Sequence, residues 1–159
     1  MTNGERSMGE VAVVCTDGSD LALQAAKTGL GLIRPDATVI VVTVQGDEDY
    51  SLVSGTGFAG GVMSPEEFHA LNRQVTAESR AMLERTVNDL GVGEVRTEIL
   101  RGGPGPAVCD FAEQVAANVI IAGTHGRGGF KRALLGSVSD YIVRNAPCSV
   151  LVTNSQAAD

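Results

Sequence analysis

Residues 123–139 carry the residue types best suited to chemistry: glycines at 123, 126, 128, 129 and 136, a histidine at 125, cations at 127, 131 and 132, and Ser137. The stretch leaves the apolar run Val119 to Ala122 and ends where Ser137 opens a helical pattern. Glycine permits positive φ and lets backbone N–H groups approach an anion closely. A helix start adds unpaired donors and the positive end of the helix dipole, so Gly136 and Ser137 are expected to form an anion site. With Arg127, Lys131 and Arg132 as local cations, the segment suits a di- or triphosphate. The alternative is a surface loop whose glycines only turn the chain. It is not a Walker A loop, because no Gly-Lys-Ser/Thr triplet is present. Nor is it a dinucleotide fingerprint, whose glycines open the helix directly after the first strand.

The elements that must position this loop follow from the hydrophobic pattern. Val11 to Cys15 is a short apolar run stopped by Thr16-Asp17-Gly18-Ser19, a buried strand and a turn, with Ser19 able to cap the next helix. Ala22, Ala25, Ala26, Gly29, Leu30 and Ile33 then share one helical face, and Pro35 marks its exit. Thr38 to Val44 is β-branched and apolar throughout, which predicts a strand buried on both sides. Residues 45–63 are glycine-rich with an acidic cluster at Asp47, Glu48 and Asp49, and read as a long loop. Ser64-Pro65-Glu66-Glu67 is a strong helix start, followed by an apolar stripe at Phe68, Leu71, Val75, Met82, Val87 and Leu90 and a stop at Gly91.

Val95 to Leu100 alternates and reads as a weaker strand. Residues 102–106 read as a turn before an amphipathic helix with Val108, Phe111, Ala112 and Val115 inward. Val119 to Ala122 is a fourth strand. Ser137 begins a short helix with Val138, Tyr141 and Ile142 inward, terminated by Pro147, and Cys148 to Val152 is a fifth strand. Strict β-α alternation predicts an α/β fold, one doubly wound Rossmann-like domain whose five-stranded parallel sheet has helices on both faces. Ligands in such sheets sit outside the carboxyl ends of the strands where the strand order reverses. The turns at Asp17, Gln45 and Gly123 are expected to converge there. The domain is expected to span 10–153, between a disordered N-terminal tail 1–9 and a C-terminal tail 154–159.

Composition sets outer limits. At 159 residues the chain fits one domain, and a domain of that size buries roughly 70% of its unfolded surface without needing staples. A formal charge of −7 argues against a nucleic-acid partner. Cys15, Cys109 and Cys148 are odd in number, widely spaced and flanked by apolar residues, unlike a zinc or disulfide framework. The polar start and the lack of any long apolar run make a cytoplasmic, membrane-free protein the expectation.

Three segments together resemble the universal stress protein family. Gly123, Gly126, Gly136 and Ser137 have the spacing G-x₂-G-x₉-G-[ST], similar to that family's ATP-binding signature. Leu134-Leu135-Gly136-Ser137-Val138-Ser139 and Ala146-Pro147-Cys148-Ser149-Val150-Leu151-Val152 are similar to it almost letter for letter. The first strand ending in Thr16-Asp17-Gly18-Ser19 and the second ending in Thr43-Val44 also resemble it, so the likeness runs from Val11 to Val152. The resemblance implies an ATP site, with ADP or AMP as alternatives. Thr16 and Asp17 would lie at the ribose or adenine, and Val44 would offer backbone and apolar contact to the base. Gly123, Gly126, Arg127 and Gly128 would border the ribose and phosphates. Gly136, Ser137 and Val138 would hold the terminal phosphates, and Ser139 would add a hydroxyl. Asp17 is the candidate for holding Mg²⁺. The long segment 45–63 departs from many relatives.

The expected function is that of a dimeric stress-response regulator that senses an adenine nucleotide and signals to a protein partner. The final strand, at a sheet edge, would pair with a second copy, as family members commonly do. The competing readings are a slow ATPase or nucleotidyl-transfer enzyme and a dimerisation module without ligand. Efficient phosphoryl transfer needs positioned Mg²⁺ ligands and a water-orienting group, and no second acid accompanies Asp17, so no catalytic residue is assigned. His125 could touch phosphate or merely prop the loop; His69 reads as a solvated helix residue.

Overall fold

The computed structural model describes residues 9–47, 63–124 and 135–154. Five strands and four helices alternate through them: β1 Val11–Cys15, α1 Asp20–Leu30, β2 Thr38–Gln45, α2 Pro65–Leu90, β3 Val95–Arg101, α3 Pro104–Gln114, β4 Val119–Gly123, α4 Ser137–Asn145 and β5 Ser149–Thr153. All pairings are parallel and the strand order is β3-β2-β1-β4-β5. This is the doubly wound α/β sheet that the alternation predicts, and its order reverses between β1 and β4. Among the described residues no helix is long and apolar enough to cross a membrane.

The period of two along each strand sorts the core into two layers. Val13, Ile40, Val42, Ile120 and Ala122 face α3 and α4, where they pack with Val108, Phe111, Ala112 and Ile142. Ala12, Val14, Val39, Val41 and Ile121 face the other way, against Ala26 of α1 and Leu83 and Leu90 of α2. Close approach is purchased with small residues: a Cβ on Gly29 of α1 would collide with the Ile121 side chain. On the opposite layer Gly105 of α3 lies against Tyr141 of α4, where a Cβ would sit 2.6 Å from Cδ1 and 2.9 Å from the Tyr141 Cβ.

Local signals explain the element ends. The Ser19 hydroxyl accepts from the Ala22 N–H at the start of α1. Ser64 and Glu67 form a reciprocal capping box, with Pro65 in the first turn and Gly91 closing α2 at φ 64°. Ala116, the residue after the C-cap of α3, adopts φ 50°. Its N–H and that of Ala117 return to Glu113 and Ala112 carbonyls, a Schellman closure without the usual glycine.

Several sequence expectations are corrected. The first helix stops at Leu30, and Ile33 packs from beyond its end. Gln45 is not loop but the buried last residue of β2; residues 48–62 of the expected loop lie outside the described residues. The segment 104–106 is the first turn of α3 rather than a turn before it, which proline tolerates because that turn's N–H groups have no intrahelical partner. Leu71 and Val75 are exposed, at 40% and 38%. At 26 residues α2 is about 39 Å long and overhangs the strands it covers, of about 3.3 Å per residue. Val138 and Tyr141 are likewise more exposed than expected, and Ser139 takes the buried position beside Ile142.

Candidate functional site

The strand order reverses between β1 and β4, and in such sheets ligands bind in the crevice outside the carboxyl ends of the two strands. After β1, the Thr16 N–H still donates to the Val42 carbonyl at 2.9 Å, and the chain then turns through Gly18 at φ 78°. This is a conformation for which glycine is needed. The Thr16 hydroxyl accepts from the Gly18 N–H at 3.1 Å. Asp17 Oδ1 accepts from the Ser19 N–H at 3.0 Å and the Ser19 hydroxyl at 2.6 Å. The half-buried carboxylate is thereby fixed at the crevice edge.

β2 runs past the end of β1. Its last partner in β1 is Cys15, opposite Val42. Successive residues of a strand direct their N–H and C=O to opposite neighbours, so residues two apart face the same one. Val42 accepts from the β1 side, whereas Gln45 accepts from Gly102 on the β3 side. Val44, two beyond Val42, therefore directs its backbone pair toward the space that β1 has vacated. A flat heterocycle edge with one donor and one acceptor is the kind of group such a position can read.

On the β4 side the two ends of segment 124–136 are tied together. The Gly136 N–H donates to the Thr124 carbonyl at 2.7 Å, and the Thr124 N–H donates to Thr153 at 3.0 Å. The Ser139 hydroxyl donates to the Gly123 carbonyl at 2.7 Å. α4 thus begins directly beside the end of β4. Of the four N-terminal donors a helix leaves without intrahelical partners, the Gly136 N–H is taken by Thr124. Those of Ser137, Val138 and Ser139 have no partner among the described residues, and the glycine at the N-cap offers no side chain to cap them. This is the electrostatic form of an anion site.

The structure brings Thr16, Asp17, Val44, Gly123, Gly136, Ser137, Val138 and Ser139 to the carboxyl end of one sheet. Gly126, Arg127 and Gly128, with His125, Lys131 and Arg132, lie outside the described residues. Neither Gly123 nor Gly136 has positive φ, and Gly136 sits at −73°. Gly136 serves by lacking a side chain at the N-cap, and the donors lie in the three residues after it. No group of three or more His, Cys, Asp or Glu that could hold a metal occurs among the described residues. Sequence reasoning missed Gln45, whose Nε2 donates to the Val75 carbonyl at 3.1 Å and to the Ser79 hydroxyl at 2.7 Å. A lone amide at the end of a wholly apolar strand was the available signal.

The cysteines are structural. All three are free, and Cys15 and Cys148 pack against the core layer that contains Cys109. Desolvation, with Cys109 nearby, pushes the Cys15 thiol up to about 12. Burial also raises Cys109 and Cys148.

Comparison with known proteins agrees with this architecture. The model of the universal stress protein family matches residues 8–154. The chain is 35% identical over 151 residues to universal stress protein MJ0531 of Methanocaldococcus jannaschii, covering 94% of this chain and 84% of that protein. Its fold is similar to that of hypothetical protein MJ0577, with a TM-score of 0.76 and 25% identity over 95% of this chain and 99% of that one. It is also similar to a universal stress protein in complex with cAMP, at TM-score 0.64 and 21% identity, covering 92% and 98% of the two chains. An Arabidopsis thaliana universal stress protein family protein with AMP bound gives a TM-score of 0.61 and 23% identity over 93% of each chain.

Proposed function

We propose that the chain, which belongs to the universal stress protein family, is a nucleotide-responsive regulator that binds ATP in the crevice between β1 and β4. The observation that carries this reading is the uncapped start of α4, held against the end of β4 by Gly136–Thr124 and Ser139–Gly123. Its three donors suit the phosphates. The backbone of Val44 and the Thr16-Asp17 turn suit the base and ribose across the crevice. The structures with cAMP and AMP bound are of similar fold and support an adenine nucleotide as the class of ligand.

Mg²⁺, if it accompanies ATP, is best held by the phosphates with one carboxylate, the usual arrangement for this ion. Asp17 is the acid placed for that part, although Ser19 occupies its Oδ1. Gly126, Arg127 and Gly128 are assigned to the phosphate side by the motif alone.

Extracting nucleotide from the protein as purified, identifying it by mass spectrometry and titrating ATP, ADP and AMP into stripped protein tests the reading. Bound adenine nucleotide and submillimolar affinity support it. Empty protein with no measurable affinity rejects it and leaves a dimerisation module.

Pairing of two copies through β5 belongs to the same proposal. β5 is a sheet edge with half-buried Val150, Leu151 and Val152. An unpaired edge favours self-association. Light scattering at micromolar concentration should give twice the chain mass; a monomer removes this part.

A further inference from the structure

A second polar cleft lies away from the crevice, between α2 and the outer edge strand β3, separated from β1 and β4 by β2. It measures about 670 Å³ and is lined in part by Asn72, Arg73, Thr76, Arg80, Glu84 and Arg101. A side lobe of about 360 Å³ continues past Arg80 toward Thr97 and Glu98. These volumes are in the range of small-molecule sites.

Helical spacing explains the clustering. Asn72 and Arg73 lie one turn before Thr76, and Arg80 lies one turn after it, so they share one stripe of α2. Arg101, the last residue of β3, reaches that stripe, and its Nη2 donates to the Thr76 hydroxyl at 3.2 Å. Gln45 braces the same turn of the helix through Val75 and Ser79. The wall that carries the arginines is therefore anchored to the sheet rather than free-standing.

The charge is unusual for this chain. The net charge is −7, yet three arginines line the cleft with Glu84 as its acid, and Glu98 in the side lobe is turned to Arg96 at 2.7 Å. Neither Arg73 nor Arg80 makes an ion pair among the described residues. Guanidinium groups recognise carboxylate and phosphate oxygens through paired N–H donors.

We infer that the α2–β3 cleft is a second ligand site, for a small oxyanion with two or more negative charges, bound by Arg73, Arg80 and Arg101. It is independent of the nucleotide crevice and does not rest on that assignment.

Calorimetric titration with pyrophosphate and with citrate, in the presence and absence of ATP, tests it at low salt. The expected result is one-to-one binding of at least one anion that persists in ATP. Arg73→Gln/Arg80→Gln, both exposed, should weaken it about tenfold or more while ATP affinity is unchanged. Preference for pyrophosphate or citrate assigns the ligand class as phosphate or polycarboxylate. Absence of binding at millimolar anion, loss of binding in ATP, or indifference to the double substitution would each overturn the inference.

Discussion

Ser139 holds Gly123: the hydroxyl in the first turn of α4 donates to the carbonyl at the end of β4 at 2.7 Å, across 16 residues of chain. With Gly136 bonded to Thr124, this ties the start of α4 to the end of β4 and sets where the helix donors point. Ser139→Ala leaves a carbonyl short of one partner and should cost about 1–2 kcal/mol. For this size that lowers the melting temperature by roughly 2–4 °C per kcal/mol. ATP affinity, measured by calorimetry, should fall severalfold as well. A stability loss with unchanged affinity would restrict the bond to packing.

α3 and α4 meet where Gly105 faces Tyr141. Alanine at 105 gains up to about 1 kcal/mol of helix propensity. Its Cβ would, however, fall within 3 Å of the Tyr141 Cβ and Cγ, atoms near the root of the side chain that cannot swing away. Overpacking at about 1–3 kcal/mol wins, so Gly105→Ala should destabilise in denaturant titrations. In a Tyr141→Ala background the Cδ1 and Cγ contacts are gone and only the one to Cβ at 2.9 Å stays, so the same change should cost markedly less. Equal effects in both backgrounds would refute the contact.

Ala116 occupies the left-handed position that closes α3. That conformation costs a non-glycine residue roughly 1–2 kcal/mol, more than the backbone entropy of about 0.4–1 kcal/mol that glycine adds to the unfolded chain. Ala116→Gly should therefore stabilise by about 0.5–1 kcal/mol in chemical denaturation. A loss of stability would contradict the geometry.

Cys15 gives the fold an alkaline weakness. Its thiol is raised from 9.0 to about 12, so above pH 9 the unfolded chain loses a proton that the native state retains. Stability is unaffected at neutral pH and falls as pH rises from 9 toward 12. Cys15→Ala should flatten that slope, read from denaturant midpoints at each pH. An unchanged slope would show that other groups set it.

Much of this was legible because local chemistry and tertiary position agree. Ser64, Pro65 and Glu67 announce α2, and unbroken β-branched runs announce strands covered on both faces. Two kinds of feature were not legible. A helix stripe shows what can be buried, not how far the sheet extends, so Leu71 and Val75 read as core although α2 overhangs. Hydroxyls and amides read as solvent-facing until a distant partner appears. Gln45 and Ser139 are buried through bonds to Ser79 and Gly123, 34 and 16 residues away. The glycine spacing pointed to the start of α4, and φ of −73° at Gly136 shows that this position differs by its missing side chain rather than by a special backbone angle.

The central claim is that phosphates bind at the start of α4, and a melting experiment with four samples tests it directly. At 100-fold excess over Kd, ATP with Mg²⁺ contributes about 2.7 kcal/mol, a rise of about 5–10 °C. Adenosine should give noticeably less, because it lacks the charge that the helix start receives. Ser137→Asp places a carboxylate in the first turn of α4, where it complements the dipole and should leave the unliganded protein at least as stable. That same charge should repel phosphate and remove most of the ATP shift. An adenosine shift equal to that of ATP, or an undiminished ATP shift in Ser137→Asp, would contradict the account.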